Sequence, residues 1–308
     1  MKYILIVLIS ILAFPVIAQD KNFEETELSV SRMIDGTLLT PLNSTNPNLA
    51  IIIAGSGPTD RNGNQNFAKN NSLKQIAESL SNAGIATFRY DKRVVKQIKI
   101  GKLDKRIMFD DFVDDAIDVL TYFKSQEVYS NIYMIGHSQG SLVGMLASPK
   151  GADGFISLAG AGQNIGDVLV EQVTKTAPQF TEETQSVVNK LKKGKTTNDY
   201  PAALESIFNK ELQPFMINWM SYSPTEELQK LNIPILIVNG TKDLQVSVNE
   251  AELLANANKK ATLKIIDNMN HVLFLIDGND LENSKSNNES WRKVSPELIA
   301  SLIDFIKS

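Results

Sequence analysis

The chain has 308 residues, of which 43% are hydrophobic and 21% charged, and its formal net charge is −4. That balance belongs to a folded globular protein, not to a disordered chain, and the mild acidic excess argues against a nucleic-acid partner, which would call for a clustered basic face. Cysteine is absent, which excludes disulfides, a thiol nucleophile, lipid acylation at a lipobox and a thiolate metal site; no metal and no cofactor are expected.

The N-terminus has the order of a secretory signal peptide. Lys2 is followed by an apolar run from Tyr3 to Phe14, then by Pro15 and by Val16-Ile17-Ala18. A basic start, a short apolar stretch and a small-residue exit predict cleavage after Ala18, with residues 1–18 removed. The run of about twelve residues falls short of the roughly twenty that span a bilayer. An exported mature chain is therefore expected, periplasmic or extracellular, with no stable membrane anchor.

Residues 23–41 alternate weakly and read as two short strands. A turn-rich connector over 43–48 leads to Leu49-Ala50-Ile51-Ile52-Ile53-Ala54. Such a continuous apolar run marks a strand buried on both faces. It ends in Gly55-Ser56-Gly57-Pro58. A helix is predicted over 71–83, capped by Gly84, then a strand over 85–90. Helical spacing of Phe112, Ala116, Val119, Leu120 and Phe123 predicts a helix over 109–126, with acids in its first turns. Residues 131–135 and 154–158 read as strands, with a helix of small residues at 141–147 between them.

The alternation stops at 160–231. This stretch has helical propensity, no convincing strand, a Lys-rich run at 190–195 and an apolar cluster of Phe208, Leu212, Phe215, Met216, Trp219, Met220 and Tyr222. It reads as an inserted helical cap. The rhythm resumes with a strand at 233–238, a helix at 249–258, a strand at 261–266 and a closing helix at 296–306. The polar residues 277–290 are expected to form a mobile loop. Strands alternating with helices imply mostly parallel pairing and a sheet covered on both faces. The expected organisation is a core of 19–159 and 232–308, interrupted by the cap.

Within this frame, Gly136-His137-Ser138-Gln139-Gly140 stands between a buried-type strand and a small-residue helix. A nucleophile elbow requires that context: the serine adopts strained backbone angles, and its neighbours must be small. Serine also needs a base, and the chain has two histidines, His137 and His271. His137 is adjacent to Ser138 and points elsewhere at such a turn, which makes it a packed histidine. His271 lies in the loop after the strand 261–266, at the carboxyl edge where α/β sites assemble. The acid that orients it is expected to be Asp243, directly after the strand 233–238, in the chain order Ser–Asp–His of this fold class. Asp267 and Asp277 are the alternatives. For the oxyanion, one donor is the Gln139 amide and the other is expected from Gly55-Ser56-Gly57, at the Ser56 amide, with the glycines letting the backbone approach a ligand.

With these motifs in view, the chain resembles the α/β-hydrolase superfamily, and most of all secreted bacterial esterases of the serine aminopeptidase-like type. The resemblance rests on Gly36-Thr37-Leu38, on the stretch from Ala54 through Gly55-Ser56-Gly57-Pro58-Thr59-Asp60-Arg61 to Asn64, on the elbow, and on Asn239-Gly240-Thr241-Lys242-Asp243-Leu244-Gln245-Val246. It implies an α/β-hydrolase fold of about eight strands with the cap between strands six and seven. It also implies carboxylester hydrolysis through an acyl-enzyme, and Asp60 and Arg61 bracing the oxyanion loop. Two departures are plain: Ala54-Gly55 replaces a frequent His-Gly, and Asp91-Lys92-Arg93-Val94-Val95-Lys96 replaces a glycine-rich turn.

The expected partner is a small acyl substrate, hydrolysed by attack of Ser138 with His271 as base. The same triad could serve a thioesterase, or an aminopeptidase in which Glu171, Glu182 or Glu183 of the cap binds the substrate amine. A non-catalytic binding protein on this fold is a reading from another class.

Overall fold

The computed structural model describes residues 21–308; the signal peptide expected over 1–18 lies outside them. Along the chain run β1 (Phe23–Ser31), β2 (Ile34–Pro41), β3 (Leu49–Ile53), α1 (Ser72–Asn82), β4 (Ala86–Tyr90), α2 (Arg93–Lys99), α3 (Asp110–Lys124), β5 (Ile132–His137), α4 (Gln139–Ala147) and β6 (Gly154–Leu158). There follow α5 (Ile165–Thr176), α6 (Thr181–Leu191), α7 (Glu205–Phe208), α8 (Gln213–Met220) and α9 (Pro224–Gln229). The chain closes with β7 (Ile235–Gly240), α10 (Val248–Ala257), β8 (Ala261–Ile266), α11 (Asp280–Ser286) and α12 (Pro296–Lys307).

The strands form one sheet in the order β1-β2-β4-β3-β5-β6-β7-β8. β1 and β2 pair antiparallel, as do β2 and β4, while every pair from β4 to β8 is parallel. This is the α/β-hydrolase fold. The apolar run of β3 shows why the sheet needs cover on both faces. Leu49, Ile51 and Ile53 enter the core shared with α3 and α4, and Ala50, Ile52 and Ala54 enter the core shared with α1 and α12. The side-chain period of two makes one strand serve two cores. At one sheet edge, β1 carries Glu24, Glu25 and Glu27, charges that discourage pairing with another chain.

Helices α5–α9 fill the connection between β6 and β7. Val187, Val188, Leu191, Leu204, Phe208, Met216 and Met220 form a small core of their own there, whereas Leu228 and Leu231 join the main core.

One stretch differs from the sequence expectation. Residues 277–290 are not a loop throughout: they contain α11, capped by the Asn279 side chain, which accepts from the Leu281 and Glu282 N–H groups. Residues 93–99, to which the sequence assigned no element, form the short helix α2. Each helix has seven residues, too few for the repeated apolar stripe by which helices are read from sequence.

Candidate active site

The loops that follow β3, β4, β5, β7 and β8 meet at the carboxyl edge of the sheet. Ser138 sits between β5 and α4 with φ 54° and ψ −121°, a backbone conformation that L-residues avoid and that is held at functional sites by their surroundings. Its own N–H donates to the Leu158 carbonyl at 2.8 Å. The flanking glycines are steric necessities. A Cβ on Gly136 would lie 2.2 Å from the Gly140 carbonyl oxygen, and one on Gly140 would lie 2.5 Å from the Ile53 carbonyl oxygen.

His271 lies after β8, and its Nε2 is 3.1 Å from Ser138 Oγ. Its Nδ1 is 2.8 Å from Asp243 Oδ2. The Asp243 carboxylate is wholly buried, and its other oxygen accepts from the Gln245 and Val246 N–H groups, both at 2.8 Å. Three residues 133 and 28 positions apart in sequence thus form one hydrogen-bonded chain. Asp267 and Asp277 take no part in it.

His137 is apart from this chain. Its Nε2 lies 2.8 Å from the His271 carbonyl oxygen. A carbonyl can only accept, so Nε2 carries a proton. Burial, with His271 nearby, pulls its pKa down to about 4.

Asn270, the residue before His271, is buried. Its side chain donates to Asn283 Oδ1 at 2.9 Å and Ser286 Oγ at 2.7 Å and accepts from Phe274 N–H. Asn283 in turn donates to the Lys242 carbonyl at 2.6 Å. Helix α11, read from sequence as loop, therefore braces the residues next to both His271 and Asp243.

Gly55 approaches the elbow closely: a Cβ there would meet Ser138 Cβ at 3.2 Å. Gly57 has φ +74°, the left-handed region that favours glycine. Ser56 and Gln139 line the same cavity as Ser138. Among the described residues neither the Ser56 nor the Gln139 N–H donates to a backbone carbonyl outside regular elements, and Gln139, as first residue of α4, has no partner within its helix.

Asp60 Oδ1 accepts from the Asn62 and Asn64 N–H groups at 2.8 and 2.9 Å, closing a turn in the loop that follows Ser56. Arg61 ties that turn to the sheet. Its guanidinium meets Glu27 of β1, Thr37 Oγ1 of β2 and Asp91 at the end of β4, and its N–H donates to Asp91 Oδ1. Spacing alone makes these two residues exposed turn charges; the partners of Arg61 lie about 25–35 positions away in sequence, on β1, on β2 and at the end of β4.

Sequence reasoning also missed Lys92. It is 5% exposed, and its Nζ donates to the Gly55 carbonyl at 3.0 Å and to Gln139 Oε1 at 2.7 Å. Nζ stands 4.1 Å from the centre of the Phe112 ring. Burial brings the ammonium down to about 7, against the opposing pull of Asp115. The only sequence signal is a lysine at the carboxyl end of a parallel strand.

Two cavities adjoin at Ser56 and Gln139. One, of about 320 Å³, is lined by Ser138, Gln139 and apolar residues including Val168, Leu169, Met216 and Trp219. The other, of about 450 Å³, is lined by Lys92, Leu103, Phe112 and Phe215 among others. Ser56, Gln139, Leu212, Met216 and Trp219 border both. The cap's apolar cluster thus divides. Leu212, Phe215 and Trp219 wall the cavities, Met216 both walls them and joins the small core of the cap, and Phe208 and Met220 are buried in that core. Trp219 is stacked on Phe109, ring centres 5.5 Å apart.

The family model for serine aminopeptidase, S33 (Hydrolase_4), matches residues 69–277, well over half of the chain. The protein belongs to this family. The S33 match takes in the elbow, Asp243 and His271 but begins downstream of Gly55-Ser56-Gly57. The chain is similar to esterase EstD of Thermotoga maritima, 26% identical over 268 residues that are 84% of this chain and 62% of the relative. It therefore spans less than two thirds of that relative's length.

Among solved structures, Est1E from Butyrivibrio proteoclasticus matches with a TM-score of 0.58 and 17% identity, over 92% of this chain and 99% of that one. The Pyrococcus furiosus esterase PF2001 matches with a TM-score of 0.57 and 14% identity, over 92% and 90%. These likenesses are of fold.

Proposed function

We propose that the protein is a serine hydrolase that cleaves carboxylic esters through an acyl-enzyme on Ser138. The observation that carries this reading is the continuous chain from Ser138 Oγ to His271 Nε2 (3.1 Å) and from His271 Nδ1 to the buried Asp243 carboxylate (2.8 Å). His271 takes the Ser138 proton as Oγ attacks the ester carbonyl, and Asp243 stabilises the imidazolium that forms. The Ser56 and Gln139 N–H groups receive the oxyanion. Collapse of the tetrahedral species expels the alcohol, protonated by His271. Water, deprotonated by the same histidine, then attacks the acyl-enzyme and releases the acid.

The cavity beside Ser138 favours an ester over an amino-terminal peptide. Its lining holds no Asp or Glu, the two acids that line the adjoining cavity, Asp104 and Glu211, are paired with Arg106 and Lys105, and an aminopeptidase would need a carboxylate to pair with the substrate ammonium. Glu182 and Glu183 line neither cavity, and Glu171 meets the site only through its hydrogen bond with Gln163. The similarity to EstD, named an esterase, supports the same choice. The natural partner is then a small acyl ester with an apolar acyl group. The N-terminal pattern supports export, with the enzyme acting in the periplasm or outside the cell.

The test compares the mature protein with Ser138→Ala on short and long p-nitrophenyl esters, a thioester and an amino-acid anilide. Ester turnover that disappears in Ser138→Ala is the expected result. Equal rates for the two proteins would sink the serine mechanism, and activity on the anilide alone would return the peptidase reading. Cell fractionation and N-terminal sequencing check export: a start at Gln19 is expected, and a cytoplasmic chain retaining Met1 rejects it.

A further inference from the structure

Lys92 is buried where three elements converge, and the usual means of accommodating such a charge are missing. Among the described residues it forms no salt bridge. Asp115, the carboxylate that acts on it across α3, is already held by two bonds of 2.8 Å from Arg93. Desolvating an ammonium is costly, and a methionine could fill the same space against Phe112. What the ammonium gains instead is two oxygen acceptors, Gly55 O and Gln139 Oε1, and the face of an aromatic ring.

Those two acceptors are not arbitrary. Gly55 O belongs to the same peptide unit as the Ser56 N–H, and the described chain contains no cis peptide. In a trans peptide the carbonyl and the following N–H point in opposite directions. A donor that fixes Gly55 O therefore fixes the direction of the Ser56 N–H. Gln139 contributes the other N–H of the oxyanion hole, and its side chain is the second acceptor.

We propose that Lys92 is a positioning residue for the oxyanion hole: by bonding Gly55 O and Gln139 Oε1 together, it holds the two segments that carry the hole's donors in register and turns the Ser56 N–H away from itself, into the cavity shared with Ser138. The proposal rests on the serine-hydrolase reading above. The cation has a second effect through the same contact. Charge at the carbonyl oxygen polarises the peptide and makes its N–H a stronger donor. Burial lowers the Lys92 pKa to about 7 against the pull of Asp115, so this second effect is lost as pH rises through that value.

A residue that acts in this way affects the transition state more than the ground state, because the negative oxygen exists only in the former. The decisive measurement compares wild type, Lys92→Met and Lys92→Arg in hydrolysis of p-nitrophenyl butyrate and in inhibition by a trifluoromethyl ketone, whose Ser138 adduct carries an oxyanion. Lys92→Met is expected to lower kcat about 10- to 100-fold with KM changed by less than about threefold, and to weaken the ketone by a similar factor. Lys92→Arg is expected to recover part of both losses. A folded Lys92→Met enzyme with wild-type kcat overturns the proposal. So does one in which KM rises at constant kcat, since Lys92 would then bind substrate.

Should Lys92→Met lose its cooperative thermal transition, Gln139→Met decides. That variant keeps the backbone N–H and removes one of the two acceptors. A loss in kcat of about 3- to 10-fold at constant KM is expected, and an unchanged kcat rejects the role. Full activity in Ser138→Ala would sink the hydrolase reading and the Lys92 role together. Activity that depends on Ser138 but survives in Lys92→Met sinks the Lys92 role alone.

Discussion

Asn283 of α11 is hydrogen-bonded to Asn270, the residue before His271, and through its amide to the carbonyl of Lys242, the residue before Asp243. One buried side chain thus spans the two loops whose side chains must meet at 2.8 Å. Asn283→Ala leaves the Lys242 carbonyl and the Asn270 amide short of partners, at a cost of about 1–3 kcal/mol. We expect a lower urea midpoint and, from the loosened His271–Asp243 geometry, a kcat reduced about tenfold. Wild-type kcat in a folded Asn283→Ala protein would show that the two loops hold their geometry without it.

The three residues of the hydrogen-bonded chain should lose activity unequally. Replacing Ser138 or His271 with Ala is expected to lower kcat by about 10⁵–10⁶. Asp243→Asn, which keeps the shape but not the charge, should cost about 10³–10⁴. Combining Ser138→Ala with Asp243→Asn should add little to Ser138→Ala. A double variant markedly slower than either would mean that Asp243 works independently of the serine.

His137 gives the fold a pH dependence whose sign follows from its environment. Its pKa in the folded chain, about 4, is below the unfolded value of about 6.5, so the fold favours the neutral ring. This contribution is complete above about pH 6.5 and is withdrawn as pH falls toward 4, by up to about 1.4 kcal/mol per pH unit. Urea midpoints measured from pH 7 to 4.5 should therefore fall more steeply for wild type than for His137→Gln. Parallel slopes for the two proteins would be incompatible with a buried neutral His137.

Gly140→Ala tests the elbow itself. The added methyl would stand 2.5 Å from the Ile53 carbonyl oxygen and 2.7 Å from that of Ala54, backbone atoms of β3 and the residue after it. The sheet has to shift, at a cost of about 1–3 kcal/mol, and Ser138 moves with it. A loss of both stability and activity is expected by denaturation and ester assay. Gly84→Ala makes the contrast, because nothing lies within 4 Å of its Cβ position; strain from its φ of +88° is the cost there, and activity should persist.

Trp219 borders both cavities. Trp219→Ala joins them and should shift kcat/KM toward longer acyl chains by about 10-fold or more relative to p-nitrophenyl acetate. An unchanged chain-length profile would remove Trp219 from the specificity wall.

Features set by local rules were the ones readable in the sequence. The elbow was legible because strand, tight turn and helix must follow one another within about a dozen residues, and because Gly136 and Gly140 are demanded by backbone contacts. β3, β5 and β7 were legible because burial on both faces leaves continuous apolar runs. His271 was reached by elimination in a chain with two histidines. The supports were not legible. Lys92, Asn270 and Asn283 act through partners 28 or more positions away or, for the asparagines, within a polar stretch indistinguishable from a loop. Arg61 likewise gains its meaning only when β1, β2 and the end of β4 come together.

The hydrogen bonds made by Ser138, Asp243 and His271 all end on residues outside 160–231, while that insertion supplies most of the apolar cavity wall. On the proposed mechanism, chemistry and selectivity are therefore set by separate parts of the chain. Helices α5–α8 can accumulate substitutions, or be exchanged for those of a relative, without disturbing the reacting atoms.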